Sequence, residues 1–252
     1  MNVQDLKNQM GIRNPTLLPI QTFGIITGFF GYATIRDLDN ISNRRLLSFA
    51  FLYFSLMNLT SIVCHNFVSR NSSAWIWAGV FDVAFTGASA LCLAASSFRS
   101  LDPDGGNLSK QKVRNKDSSS GLIISYLPEA LFIVCLSVAS LGRVNSWAWA
   151  PEAVYLGSMV VATLVLGPRL RTLFPKGALL DYLIIASGVL ILHLSCVSDG
   201  LLFCGLMEQD AYFTGVHMIF LGSDITFLGL HRFIVSSSAA NDNKILTKSN
   251  VD

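Results

Sequence analysis

Charge is what this chain has least of. Only 13% of its 252 residues are Asp, Glu, Lys or Arg, against about a quarter in a soluble domain. That excludes an ordinary solvated globule. The 18 basic residues border apolar stretches and form no common patch, so no nucleic-acid partner is expected. Cysteine occurs five times, as Cys64, Cys92, Cys135, Cys196 and Cys204. None is spaced C-x-x-C, so neither a zinc knuckle nor a redox pair is indicated, and these thiols read as small buried apolar groups. No internal repeat is visible, which weakens a transporter built on inverted halves. The last apolar run contains no lysine, which argues against a retinal Schiff base. Residues 1–15 are polar and the first apolar run is long enough to span, so no cleavable signal peptide is expected.

What the chain does have is apolar length. Hydrophobic residues make up 52% of it, in runs of about twenty, the length of a bilayer-crossing helix. The expected fold is all-α: an integral membrane bundle of seven transmembrane helices. A polar leader covers 1–15, the seven-helix domain 16–235, and a disordered cytosolic tail 236–252. The helices are expected at Thr16–Ile35, Leu46–Phe67, Ala74–Phe98, Gly121–Leu141, Ser146–Leu166, Ala178–Phe203 and Ala211–Val235. Gly24 and Gly28 in helix 1, and Gly87, Ala88, Ala90, Ala94 and Ala95 in helix 3, suit close helix packing. Trp147 and Trp149 suit an interfacial aromatic belt. The interior loop 99–120 carries Asp102-Pro103-Asp104-Gly105-Gly106 and the basic Lys110, Lys112, Arg114 and Lys116, a solvated composition.

Orientation follows from the basic residues. The leader and the loops after helices 2, 4 and 6 hold Lys7, Arg13, Arg70 and Arg143; the other 14 of the 18 lie on the opposite face. Cytoplasmic loops are rich in Lys and Arg, so the N-terminus is expected outside or in a lumen and the C-terminus in the cytosol. The sequon Asn71-Ser72-Ser73 falls on the lumenal side and is the expected N-glycan site. The localisation that follows is a multi-pass protein of an endomembrane or the plasma membrane, with membrane lipid as its partner.

Polar groups inside spans are expensive, so each is a functional candidate. Ser61 and His65 lie one α-helical turn apart near the end of helix 2, one turn beyond Asn58. At about 1.5 Å per residue, Asp82 lies roughly 12 Å into helix 3, His217 roughly 9 Å into helix 7 and Asp199 roughly 6 Å into helix 6 from the lumenal side. His193 and Asp224 lie nearer mid-membrane, and His231 near the cytosolic end. Imidazoles with a carboxylate suit zinc. Zinc with an open position supplies hydroxide near neutral pH, and a serine beside it would orient that hydroxide or donate to an oxyanion.

Ser61-x3-His65 on helix 2, Asp82 on helix 3 and His217 early in helix 7 resemble the pattern of the CREST superfamily. That group holds alkaline ceramidases, progestin and adiponectin receptors and GPI-anchor-remodelling proteins. The resemblance implies a zinc-dependent lipid amide or ester hydrolase with a lumenal-side site inside the membrane. His65, Asp82 and His217 would hold the metal, and Ser61 would assist, with Asp82, in catalysis. The N-out topology resembles the ceramidase branch. One position departs from the pattern: Leu221 stands where a second helix-7 histidine is expected, with His193 or Asp224 as substitute ligands. Leu221 favours the alternative, a non-enzymatic seven-helix receptor or lipid-binding protein. A third reading is a proton relay through Asp82, Asp224 and the histidines.

Overall fold

The computed structural model describes residues 14–38, 41, 43–69, 72–98, 126–147, 149–173, 179–198 and 215–249. Among them there is no strand. Seven helices are long and apolar enough to cross a membrane, one for each expected span. They are α1 (Leu18–Arg36), α2 (Arg44–Ile62, continued by a π-helical turn, Val63–Phe67), α3 (Ser73–Phe98) and α4 (Leu127–Val144). Then come α5 (Trp149–Glu152, a π turn at Ala153–Gly157, and Ser158–Leu173), α6 (Leu179–Ser198) and α7 (Gly215–Ser249). The leader up to Arg13, the interior loop, the sequon at Asn71 and the carboxylate of Asp199 lie outside the described residues.

Several boundaries differ from the hydropathy reading, and α4 lies at Leu127–Val144 where Gly121–Leu141 was expected. Helix α5 starts at Trp149, because Ser146 is left-handed at φ 57° and closes the preceding turn. There the Trp147 N–H donates to the Gly142 carbonyl at 2.7 Å, a helix-ending 6→1 bond. At its other end α5 continues through Gly167 and Pro168 to Leu173. Leu166 and Leu170, one turn apart, are both buried, so packing carries the helix past a residue that lacks an N–H. Helix α7 runs to Ser249, not Val235. The stretch after Gly229 has neither glycine nor proline to stop it.

Small residues set how the helices meet. A methyl group added at Gly28 would lie 2.6 Å from the Ser55 Cβ and 2.8 Å from the Phe51 carbonyl oxygen; Gly24 faces Asn58, and Gly31 faces the Phe51 ring. The partners descend along α2 as the glycines ascend along α1, so the two helices are antiparallel. Helices α6 and α7 interlock similarly, Gly222 against Leu192 and Gly188 against Thr226. Helix α3 packs on α2, α4 and α5, while α1 closes the bundle by packing on both α2 and α7. Ala88, Ala90 and Ala94 of α3 are buried, as a helix-contact face requires.

The opposite faces are apolar and open. Phe23, Ile26, Phe29 and Phe30 on α1 are exposed, as are Leu183, Leu190 and Leu194 on α6, which suits hydrocarbon as the surrounding solvent. Two ion pairs join neighbouring helices. Arg45 of α2 meets Glu129 of α4 at 2.5 Å, and Arg232 of α7 meets Asp181 of α6 at 2.9 Å. Arg232 thus ties two helices together, and so does His231, whose Nε2 shares a 2.7 Å hydrogen bond with the Thr34 hydroxyl of α1.

The glycine contacts make a differential prediction. Gly28→Val forces α1 away from α2, an overpacking cost of about 1–3 kcal/mol. Gly157→Ala meets nothing within 4 Å and leaves stability unchanged. Thermal unfolding of the two variants in one detergent checks this; equal melting temperatures would refute the close contact.

Candidate functional site

Several of the buried polar groups gather along one seam, where α1 faces α2 and α7. The buried residues of α1 include Gln21, Gly24, Thr27, Gly28, Gly31 and Ile35, a stripe at helical spacing. On α7, His217, Asp224 and His231 recur every seven residues, so they too share a face over about 10 Å per step. Thr16 meets His217, Gly24 meets Asp224 and Thr34 meets His231. The order rises along both helices, so α1 and α7 run parallel.

The seam has layers. At the start of α1, the Thr16 hydroxyl and His217 Nε2 share a 2.9 Å hydrogen bond. Asn14 Nδ2 donates to the His65 carbonyl at 2.9 Å, and the His65 ring stands edge-on to Phe220, 6.3 Å between centroids. One layer further in, Gln21 Nε2 donates to Ser61 Oγ at 3.1 Å, while Asn66 Nδ2 donates to Gln21 Oε1 at 3.1 Å. All three side chains have 0% exposure.

Below that layer, Asn58 and Asp224 close on Gly24. A methyl there would sit 2.5 Å from Asn58 Nδ2 and 2.6 Å from Asp224 Oδ1, so only glycine lets the amide and the carboxylate approach α1 at this level. Asn58 Nδ2 donates to the Phe54 carbonyl at 3.0 Å. Both Asp224 oxygens, Asn58 Oδ1 and Asn66 Oδ1 are buried without a hydrogen-bond partner among the described residues. The floor is aromatic. Phe54 stacks on Phe227 with centroids 3.9 Å apart and planes 4° apart, and Phe51 stands edge-on to Phe227 at 5.0 Å.

The π turn explains which residues the seam selects. Val68 N–H donates to the Val63 carbonyl, a five-residue step in place of the α-helical four. Residues five apart therefore come into line, and the side chain that joins Ser61 at Gln21 is Asn66. Four-residue spacing would have put His65 there.

The remaining candidates lie elsewhere. Asp82 Oδ1 is buried without a partner among the described residues, and its carbonyl accepts from the Thr86 hydroxyl at 2.9 Å. His193 bonds its own helix through the Val189 carbonyl at 2.9 Å and approaches Thr163 of α5 at 3.5 Å. Among the described residues no three His, Cys, Asp or Glu side chains are gathered to hold a metal ion. The donor set expected for zinc, His65, Asp82 and His217 with His193 or Asp224, is not drawn together as placed.

A second feature is a cavity of about 80 Å³ bounded by α2, α3, α5, α6 and α7. Its walls are mainly apolar, with Met57, Leu93, Ala162 and Phe227 among them. The hydroxyls on it, such as Ser89 and Thr226, already donate to backbone carbonyls. Phe54 and Phe227 are common to the cavity wall and the floor of the seam.

None of three comparisons, with protein-family models, with curated protein sequences and with solved structures, returns a match for this chain.

Gln21 was not singled out from sequence, though its alignment with the glycine stripe of α1 was a signal. Gln21→Leu strands Ser61 and Asn66 in a buried site, at a cost of about 1–3 kcal/mol. Combining it with Ser61→Ala and Asn66→Leu removes the stranded partners and recovers part of the loss. Melting temperatures of the single and triple variants test this; a triple variant worse than the sum of its parts would show that Gln21 is not the node.

Proposed function

We propose that this chain is a multi-pass membrane protein that binds a chain-like apolar lipid within the bundle, a binding or receptor role rather than a hydrolytic one. The supporting observation is the cavity walled by Met57, Leu93, Ala162 and Phe227. At about 80 Å³ it is far smaller than the roughly 300–1,000 Å³ of a pocket that encloses a whole drug-sized ligand. It suits the end of an acyl chain whose remainder lies in the bilayer. The acyl chain would enter between α5 and α6, which pack mainly on other helices. Helix α5 packs on α3 and α6 packs on α7, and the two approach each other at Thr163 and His193, 3.5 Å apart. Free hydroxyls for gripping a headgroup are not needed, since those on the wall are engaged with backbone.

The zinc-hydrolase reading rests on the resemblance of Ser61, His65, Asp82 and His217 to a family pattern, and the placement of these residues adds nothing to it. The two readings separate experimentally. Under the binding reading, native mass spectrometry of protein extracted in mild detergent shows a retained lipid, and added single-chain lipids raise the melting temperature without product. Ala162→Phe fills the cavity, so both effects are lost while the bundle stays folded. Lipid retention unchanged in Ala162→Phe would defeat the proposal. Stoichiometric zinc that disappears in His65→Ala, together with release of a lipid amide or ester product, would replace it with hydrolysis.

A further inference from the structure

The polar seam contains a group that the lipid-binding reading does not use. Asp224 is 1% exposed, lies midway along a membrane-spanning helix, and has both carboxylate oxygens without a partner among the described residues. A carboxylate in hydrocarbon needs a counter-charge, a proton or a ligand. The ion pairs described above do not supply it, because Arg45 and Arg232 are engaged with Glu129 and Asp181. On its own face of α7 the titratable neighbours are His217 and His231, each two turns away and each bonded to a threonine of α1.

The second observation is independent of the carboxylate. Asn58 of α2 is 0% exposed, and its Oδ1 is also unpartnered. Its amide comes to the same point on α1, Gly24, as Asp224 does, with Nδ2 nearest. One layer towards the start of α1 lies Asn66 Oδ1, again buried and unpartnered. Two buried amides with unpartnered oxygens, Asn58 at the level of Asp224 and Asn66 one layer away, thus lie near this carboxylate, above the Phe51–Phe54–Phe227 floor.

We propose that Asp224 and Asn58 form a binding site for a monovalent metal cation, reached from the end of the bundle where α1 begins. The chemistry fits. Oxygen ligands from carboxylate and amide groups suit hard cations, and one carboxylate balances one positive charge where the surroundings are apolar. Thr16, His217, Gln21 and Asn58 follow one another in layers from the start of α1 towards Asp224, so a cation would enter from that end, with the aromatic floor on the far side. Ser61 and Gln21 satisfy each other in the layer above and hold Asn66 in place.

The test is thermal unfolding of the full chain in detergent, in NaCl, KCl or choline chloride at equal ionic strength. The wild type melts higher in NaCl or KCl than in choline chloride, by about 5 °C at saturation, and the rise saturates with concentration. Asp224→Asn loses the rise, and Asp181→Asn, which alters a carboxylate at the α6–α7 ion pair, keeps it. Asn58→Leu retains the charge but removes an oxygen, so saturation moves to higher salt. Should Asp224→Asn not fold, equilibrium binding of radioactive sodium to the wild type, with potassium as competitor, gives the answer alone: one saturable site per chain supports the proposal. Equal melting temperatures of the wild type in all three salts overturn it and leave a proton as the ligand of Asp224. A salt response that persists in Asp224→Asn overturns it as well.

Discussion

Inside a bilayer, a polar side chain that reaches lipid has nothing to bond with, so it must find its partners within the protein. Gln21 meets this demand from both ends of its amide, donating to Ser61 and accepting from Asn66. These two bonds fix what the glycine stripe leaves free. Gly24, Gly28 and Gly31 let α1 lie close against α2, but a smooth surface permits sliding and rotation. A two-headed amide in the same stripe sets both the depth of α1 and the face it turns to α2. The contacts of Asn58, Asp224, Thr34 and His231 depend on that setting.

The bundle is divided unevenly along this seam. The half nearer the start of α1 is lined by threonine, histidine, glutamine, serine and asparagine. Beyond Asn58 comes an aromatic layer, with Phe54 flat on Phe227 and Phe51 edge-on to it, before the Thr34–His231 pair at the far end. The same stacked pair forms part of the cavity wall on the other side. Two compartments of opposite character therefore share one partition two rings thick, held at 3.9 Å by face-to-face contact.

Seven spans, the G-x-x-x-G contact of α1 and the small-residue face of α3 could be read from composition and spacing, because hydrocarbon length and close backbone approach leave a direct mark on the sequence. The site was legible only in part. Ser61, His217 and Asp224 stood out as polar groups in apolar runs and do lie on the seam. Asn66 did not, because the π turn after Ile62 changes the repeat from four residues to five and no residue type announces that change. Gln21 was hidden by distance: its partners are 40 and 45 positions away. The ends of α5 and α7 were missed for a related reason. Hydropathy marks where a helix leaves the membrane core, while the backbone stays helical until a residue or a packing contact stops it.

The parallel pairing of the first and last helices bears on how the chain is made. Thr16 and Thr34 find their partners on α7 across 201 and 197 residues of sequence. Helix α1 emerges from the ribosome before the other six, yet one of its polar edges has no counterpart until α7 arrives. For nearly the whole of synthesis it can lean only on α2, with that edge turned to lipid or to whatever escorts it. The bundle is in this sense a clasp whose catch is made last, and a chain stopped before α7 keeps its first helix half-docked.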